Sequence, residues 1–148
     1  MFEWLKPDLP ALFRKALWPP IAVFLFFLAG GELFGHEPYV DPAAHFLGGM
    51  AIAHCFLQLA LMYRRPLGLR SPILIHAIAL SFAFNAALFW EFLELGLRMF
   101  YHGASLRGSD DTMEDLLLGA GGAVILIVVR FLVRARNDEE DSGDQGSD

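Results

Sequence analysis

The sequence has few of the features that stabilise or solubilise a small protein. It contains one cysteine, Cys55, which excludes an intrachain disulfide and therefore a disulfide scaffold. Charged residues make up 19% of its 148 residues, whereas hydrophobic residues make up 55%. An average soluble domain carries about 25% charged residues, so this balance excludes a disordered chain and argues against a soluble globular protein. No basic surface interleaved with aromatic residues is evident, so nucleic acid is not an expected partner.

The hydrophobic residues are concentrated in four runs. Each run, with its flanks, approaches the length of about 20 residues that a membrane-spanning helix needs. The first and last runs lack the polar face that a helix of a soluble bundle would show. The sequence therefore predicts an all-α integral membrane protein, a four-transmembrane-helix bundle that forms a single domain over residues 1–136, with helices at about 17–34, 42–63, 72–101 and 111–133. The expected partners are membrane lipids, and another membrane protein or a second copy of the chain.

The basic residues fall mainly on one side of the predicted bundle. Nine of the eleven precede the first helix, separate the second from the third, or follow the fourth: Lys6, Arg14, Lys15, Arg64, Arg65, Arg70, Arg130, Arg134 and Arg136. Arg98 and Arg107 fall on the other side. Because basic residues mark the cytoplasmic side of a membrane protein, both termini are predicted to be cytoplasmic. In a bacterial inner membrane the other two loops would then face the periplasm.

The C-terminal segment 137–148 differs from the rest of the chain in composition. It contains six acidic residues, no basic residue and no apolar residue. Such a segment has nothing to bury, so we expect a disordered acidic tail exposed to solvent. Without it the chain is formally neutral, and the net charge of -6 indicates nothing about a partner.

Ionisable residues occur in pairs at the predicted periplasmic ends of three helices. The pairs are Asp41 and His45 on the second helix, Glu91 and Glu94 on the third, and Asp111 and Asp115 on the fourth. Spacings of three and four residues place each pair on one helix face. Ionisable residues within membrane segments are costly and by default indicate function. The sequence therefore predicts that these six residues form one site.

A divalent cation would offset the repulsion between so many neighbouring carboxylates. Two carboxylates about 5 Å apart repel each other by about 3 kcal/mol at an effective dielectric constant of 20. Carboxylate oxygens with one imidazole suit Mg, Mn, Ca, Fe(II) or Zn, so all six residues are candidate metal ligands. Simpler interpretations remain open: Asp41 and Asp111 also suit helix caps, and Glu94 suits an ion pair with Arg98.

Small residues predict how the helices pack. Gly48 and Gly49 on the second helix, and residues 119–123 on the fourth, allow close approach of neighbouring backbones. Because they lie beside the polar pairs, they favour a fixed site over a wide pore. Ser81 and Asn85, one turn apart on the third helix, are expected to add a hydrogen bond between helices.

The polar motifs resemble a known family. Asp41-x-x-x-His45-Phe46-x-x-Gly49, then Trp90-Glu91-x-x-Glu94, then Asp111-Thr112-x-x-Asp115 resemble the YjdF-like family of small bacterial inner-membrane proteins, the DUF2238 group. The chain is more loosely similar to VanZ-like membrane proteins. Where the family usually has a tyrosine before the first glutamate, this chain has Trp90. The resemblance implies a membrane protein without an assigned reaction, and it implies that the same six residues are the ones to test.

Three classes of function are compatible with these patterns. The first is a periplasm-facing site that binds a divalent cation and a lipid or cell-envelope substrate, with His45, Glu91 and Glu94 as candidate catalytic residues for metal-assisted hydrolysis or transfer. The second is an ion or proton transporter component whose path would continue through His54, Gln58, Ser81 and Asn85. The third is a non-enzymatic assembly or structural subunit of a membrane complex. No P-loop or HExxH motif is present, so the sequence does not decide between an enzyme and a binding protein.

Overall fold

The computed structural model describes residues 8–33, 40–102 and 109–144; the side chains of residues 28, 30–33, 98, 101–102, 109–111, 135 and 137–144 lie outside this description. The described residues form helices and no strand. The helices are α1 (Leu9–Leu12), a π-helical turn (Phe13–Leu17), α2 (Trp18–Leu33), α3 (Val40–Met62), α4 (Pro72–His102) and α5 (Ser109–Asp144). The predicted all-helical architecture is confirmed.

The first helical run contains a π-helical turn, and two prolines directly after it lack backbone donors. Asp8 caps α1 by accepting a hydrogen bond from the N–H of Ala11, and the N–H of Trp18 reaches back to the carbonyl of Phe13. Pro19 and Pro20 have no N–H, so the carbonyl of Lys15 lacks its donor within the helix. The Nε2 of His54 lies 3.0 Å from this carbonyl oxygen and replaces the missing donor.

Helix α3 lies at the centre of the bundle and packs against α2, α4 and α5. Its buried face meets those of α4 and α5 in a core of mostly small side chains: Ala53, Leu57 and Ala60 of α3, Ile75, Ala79 and Ala83 of α4, and Ala123 and Ile127 of α5. Residues of each helix recur every three or four positions, so they share one face. Small side chains let the helices approach closely, and van der Waals packing of this kind holds lipid-embedded helices together.

The contact between α3 and α5 depends on two glycines in particular. A Cβ atom on Gly49 would overlap the carbonyl of Gly119, and a Cβ on Gly122 would overlap the carbonyl of Phe46. By contrast, a Cβ on Gly48 or Gly121 would meet no atom within 4 Å. Close packing between these two helices therefore requires glycine at positions 49 and 122.

Four helices are long and apolar enough to cross a membrane, judged by length and composition: Leu9–Phe27, Val40–Met62, Pro72–Leu97 and Thr112–Arg134. Many of their large side chains point away from the core; Phe89 is 70% exposed and Leu117 is 67% exposed. Such a surface is costly in water and suits contact with lipid. The prediction of four membrane-length apolar helices is thus confirmed within the described residues, but the first span runs from Leu9 to Phe27 instead of from about residue 17 to 34.

For the acidic tail the structure differs from the prediction. Helix α5 continues through residues 137–144, which had been expected to be disordered, and residues 145–148 lie outside the described residues. Once a helix exists, each added residue gains one backbone hydrogen bond, and the costly nucleation step is already complete. The absence of apolar residues therefore did not end the helix at residue 137.

Candidate metal site

Five of the six predicted site residues lie together where α3 and α5 begin and α4 nears its end. We call this the His45 end of the bundle, and the opposite end, where α3 finishes, the Arg64 end. The five residues, here named the His45 cluster, are Asp41, His45, Glu91, Glu94 and Asp115. Asp111 lies in the first turn of α5, but its side chain is outside the described residues. Three helices thus contribute side chains to one cluster.

Carboxylate oxygens lie close to both nitrogen atoms of the His45 imidazole. Nε2 lies 3.5 Å from Asp41 Oδ1 and 3.7 Å from Asp115 Oδ2. Nδ1 lies 3.5 Å from Glu91 Oε1 on α4. The ligand atoms form two overlapping groups, Asp41–His45–Asp115 and His45–Glu91–Glu94, and within each group all atoms lie within 4.8 Å of one another. His45 therefore joins two carboxylate pairs.

The cluster is buried except on one side. The side chains of His45, Glu91 and Asp115 are 10%, 7% and 6% exposed, whereas that of Asp41 is 38% exposed. Buried charges are tolerated when they are paired or bind a metal. Asp41 therefore marks the side from which an ion or a polar ligand can reach the cluster.

The distances in the first group are compatible with a shared cation. They exceed the range of about 2.7–3.2 Å for an ordinary N–H···O hydrogen bond. Two ligand atoms held at about 2.1 Å from one ion in a tetrahedral arrangement lie about 3.4 Å apart. The separations of 3.5 and 3.7 Å from His45 Nε2 are close to that value. Small adjustments of the side chains would bring the three ligand atoms onto one ion.

Three members of the cluster, His45, Glu91 and Asp115, form the polar wall of a cavity of ≈ 160 Å³ between α2, α3, α4 and α5. Most of the remaining wall is apolar, and α2 contributes Val23, Phe24 and Phe27 to it. The ring of Phe24 packs edge-on against Trp90 of α4, with 6.1 Å between the ring centres. An elongated apolar group in this cavity would have its end beside His45.

The glycine contact between α3 and α5 explains why these residues meet. Gly49 follows His45 by four residues, and Gly119 follows Asp115 by four residues, so each glycine lies one turn from its cluster residue. Because Gly49 and Gly119 let the two backbones touch, the preceding turn brings His45 within reach of Asp115. The small-residue packing predicted from the sequence thus positions the cluster.

The other polar residues considered from the sequence lie outside this cluster. His54 bonds to the carbonyl of Lys15, and its Nδ1 lies 3.3 Å from Arg130 Nη2; His76 Nδ1 lies 2.7 Å from the carbonyl oxygen of Pro72. Both histidines are thus engaged by contacts away from the cluster. The expected hydrogen bond between helices is wrong: Ser81 donates to the carbonyl of Ala77, and Asn85 donates to that of Ser81, both within α4.

The sequence did not predict that α2 would line the cavity beside the His45 cluster. This helix carries no ionisable residue in its apolar run, so nothing in its pattern assigned it a role beyond spanning the membrane. The α2 residues that line the cavity, Pro20, Val23, Phe24 and Phe27, have the i, i+3, i+4, i+7 spacing of one helix face. That spacing was visible in the sequence, but an apolar face toward lipid has the same spacing.

Comparison with known proteins agrees with the polar motifs. No curated protein and no solved structure matches the chain. Residues 11–136, which include α2 to α4, most of α5 and the whole His45 cluster, match the family described as predicted membrane protein (DUF2238). The looser similarity to VanZ-like proteins stays a prediction. The chain belongs to the DUF2238 family of predicted membrane proteins.

Proposed function

We propose that this protein holds a divalent cation at the His45 cluster and uses it to bind the polar end of an amphiphilic lipid or cell-envelope molecule. One observation carries the proposal: a histidine with carboxylates at both ring nitrogens lies in the wall of an otherwise apolar cavity. The positive charge of the cation offsets the negative charges of the buried carboxylates. The cavity supplies the apolar surroundings for a hydrocarbon chain.

The cation is assigned to the Nε2 side of His45, with Asp41 and Asp115 as the other protein ligands. Asp41 is the exposed member of the cluster, so this side is open to an incoming ion. Glu91 then accepts a hydrogen bond from Nδ1–H and fixes the orientation of the ring, as carboxylates commonly do for metal-binding histidines. In this assignment Glu91 positions His45 instead of binding the ion directly, and Glu94, which lies in the same group, is not a direct ligand either.

The amphiphile is inferred from the two kinds of wall around the cavity. Val23, Phe24 and Phe27 of α2 favour a hydrocarbon chain, and the cluster favours a group that binds a cation, such as a phosphate or a carboxylate. Metal-assisted hydrolysis or transfer is the enzymatic extension of this binding function. In that extension Glu94, less buried than Glu91, is the candidate general base.

The site is assigned to the periplasmic side of a bacterial inner membrane. The support is the distribution of basic residues along the sequence: nine of the eleven precede the first predicted helix, separate the second from the third, or follow the fourth. A topology reporter fused after Arg136 is expected to report a cytoplasmic location, and one inserted near Gly103 a periplasmic location. The opposite result would place the His45 cluster on the cytoplasmic side and refute an envelope substrate.

A transport path has less support than a binding site. Ser81 and Asn85, which such a path would need, are exposed and bond to carbonyl groups of their own helix. His54 is engaged by the carbonyl of Lys15 and by Arg130. None of these contacts continues the polar cluster toward the Arg64 end.

Thermal unfolding of the detergent-purified protein tests the cation site. Melting curves are recorded in EDTA and in Mg²⁺, Mn²⁺, Ca²⁺ or Zn²⁺ for the wild type and for Asp115→Asn. At a hundred times its dissociation constant a bound ion adds about 2.7 kcal/mol to the free energy of unfolding. We expect at least one ion to raise the wild-type melting temperature and to leave Asp115→Asn unchanged.

Glu114→Gln is the matched control, because Glu114 neighbours Asp115 in the sequence but is exposed and lies outside the cluster. It removes the same charge and should keep the wild-type response. If no divalent ion shifts the wild-type curve, the cation proposal is wrong, and the cluster is better explained as a protonated carboxylate network or a partner-binding surface.

A further inference from the structure

A second cavity, at the Arg64 end, is lined by four arginines. Its volume is ≈ 420 Å³, and Arg64, Arg65 and Arg70 of the α3–α4 loop face it together with Arg134 of α5. We propose that this cavity binds a phosphate group, either of an anionic lipid or of a free phosphate compound. The proposal does not depend on the function proposed for the His45 cluster.

The loop that carries three of the arginines has a defined conformation. Its backbone is closed by hydrogen bonds from the N–H of Leu67 to the carbonyl of Tyr63, from Gly68 to Arg65, and from Leu69 to Arg64. Gly68 adopts a positive φ of 67°, a conformation that residues with a side chain rarely adopt. Leu69 packs against the hydrophobic core. The loop thus holds its arginine side chains around the cavity instead of leaving them on a mobile segment.

The charged side chains that line this cavity, within the described part of the chain, are of one sign. Among the described residues that line it, four are arginines and none is acidic. Guanidinium groups bind phosphate with two parallel hydrogen bonds, and they are less strongly hydrated than the ammonium group of lysine. All five basic residues at this loop and in the last part of the α5 span, including Arg130, are arginines and none is a lysine. A simple charge bias toward one side of the membrane would be met equally well by lysine.

The surroundings of the cavity also suit an anion at a membrane surface. Pro72 and Ile75, from the first turn of α4, line it, so the positive end of that helix lies at the cavity. Basic pockets between transmembrane helices are places where anionic lipid head groups bind. About 26 Å of helix, the rise of α3 from His45 to Met62, separates this cavity from the His45 cluster. The two sites can therefore be tested separately.

Binding of phosphatidylglycerol to the full chain in detergent tests the proposal, with phosphatidylcholine and inorganic phosphate as comparison probes. We expect phosphatidylglycerol to bind more tightly than phosphatidylcholine. Each surface arginine contributes about 1 kcal/mol toward an anionic lipid, which corresponds to a change of about fivefold in affinity. Arg64→Gln and Arg70→Gln should each weaken binding by about that factor, and the double variant by about 25-fold.

Arg14→Gln is the matched control, because Arg14 is an exposed arginine of the first helical run and does not line the cavity. The affinity of Arg14→Gln for phosphatidylglycerol should stay within twofold of that of the wild type. Circular dichroism should show that all variants remain folded. If inorganic phosphate competes with phosphatidylglycerol, the ligand is a free phosphate compound. If it does not compete, the ligand is a lipid head group. The proposal would be overturned if Arg14→Gln and the cavity variants lost affinity for phosphatidylglycerol equally. It would also be overturned if the two lipids bound equally well and phosphate did not bind.

Discussion

The side chains of the His45 cluster belong to helices, whereas three of the four arginines that line the cavity at the Arg64 end belong to a loop. His45, Glu91 and Asp115 are short or planar side chains, largely buried, on helices that pack closely. The arginines at the other end are long, and those of the loop are exposed. Buried groups on packed helices can hold one small ion at fixed distances. Exposed guanidinium groups can adapt to a larger anion.

The two ends also differ in how the backbone supports them. Close contact between Gly49 and Gly119 sets the distance between His45 and Asp115, so the site depends on helix packing. The cavity at the Arg64 end depends on the hydrogen bonds of the loop and on Leu69 against the core. A change in helix packing should therefore damage the His45 cluster more than the arginine cavity.

The largest expected effect comes from adding a methyl group between α3 and α5. Gly49→Ala would place its Cβ against the carbonyl of Gly119, and a backbone group cannot move aside as a side chain can. Overpacking costs about 1–3 kcal/mol, and more where backbones clash, so we expect a loss of about 3 kcal/mol or more in the free energy of unfolding. Denaturation in detergent followed by circular dichroism measures the loss.

Gly48→Ala is the control for that experiment, because a Cβ at Gly48 meets no atom within 4 Å. Alanine has the higher helix propensity, so this variant should be as stable as the wild type or slightly more stable. Similar stability of Gly48→Ala and Gly49→Ala would contradict the close approach of α3 and α5.

The next largest expected effect distinguishes a cation at Nε2 of His45 from a cation at Nδ1. Asp115→Asn removes a proposed ligand, whereas Glu91→Gln keeps an oxygen that can accept the Nδ1–H hydrogen bond. Loss of such a positioning residue typically lowers metal affinity by about 10–100-fold. Isothermal titration of the cation should therefore show a larger loss for Asp115→Asn than for Glu91→Gln. The reverse order would move the cation to the Nδ1 side, beside Glu91 and Glu94.

A smaller effect is expected at His54, which joins the first helical run to α3 and α5. His54→Ala removes the donor to the carbonyl of Lys15 and the acceptor for Arg130, and because both hydrogen bonds are exposed, each loss should cost about 0.5–1.5 kcal/mol in the free energy of unfolding. Cation affinity at the His45 cluster should not change, because neither contact reaches it. A large fall in that affinity would show that the two ends are coupled.

The smallest effect is expected from removal of residues 137–148. The segment contains no apolar residue to pack, although α5 continues into it as far as Asp144. Solvent-exposed ion pairs contribute at most about 1 kcal/mol, so the melting temperature of the truncated protein should stay close to that of the full chain. A drop of many degrees would show that the segment contacts the bundle.

The sequence predicted the helices and the cluster well because both depend on local spacing. Runs of apolar residues define α2 to α5, and pairs such as Glu91 and Glu94 share a helix face wherever the helix lies. The glycines also indicated close packing, but not that Gly49 meets Gly119, since pairing between helices is not encoded in the spacing along either one.

Other features depended on contacts that the sequence does not display. Ser81 and Asn85 were expected to bond across helices, but a carbonyl four residues earlier is the nearer acceptor. Which ring nitrogen of His45 faces which carboxylate follows from the packing of three helices. The role of His54 follows from a carbonyl that Pro19 leaves without a donor, a link visible only once α3 lies beside the first helical run.

Metal content is the most direct test of the central claim, that the His45 cluster binds a divalent cation. The wild type, Asp115→Asn and Glu114→Gln are equilibrated with the ion that most raises the wild-type melting temperature, separated from free ion, and analysed by mass spectrometry of the elements. We predict about one ion per chain in the wild type and in Glu114→Gln, and a loss of most of it in Asp115→Asn. Equal metal content in all three proteins, or none in the wild type, would contradict the account.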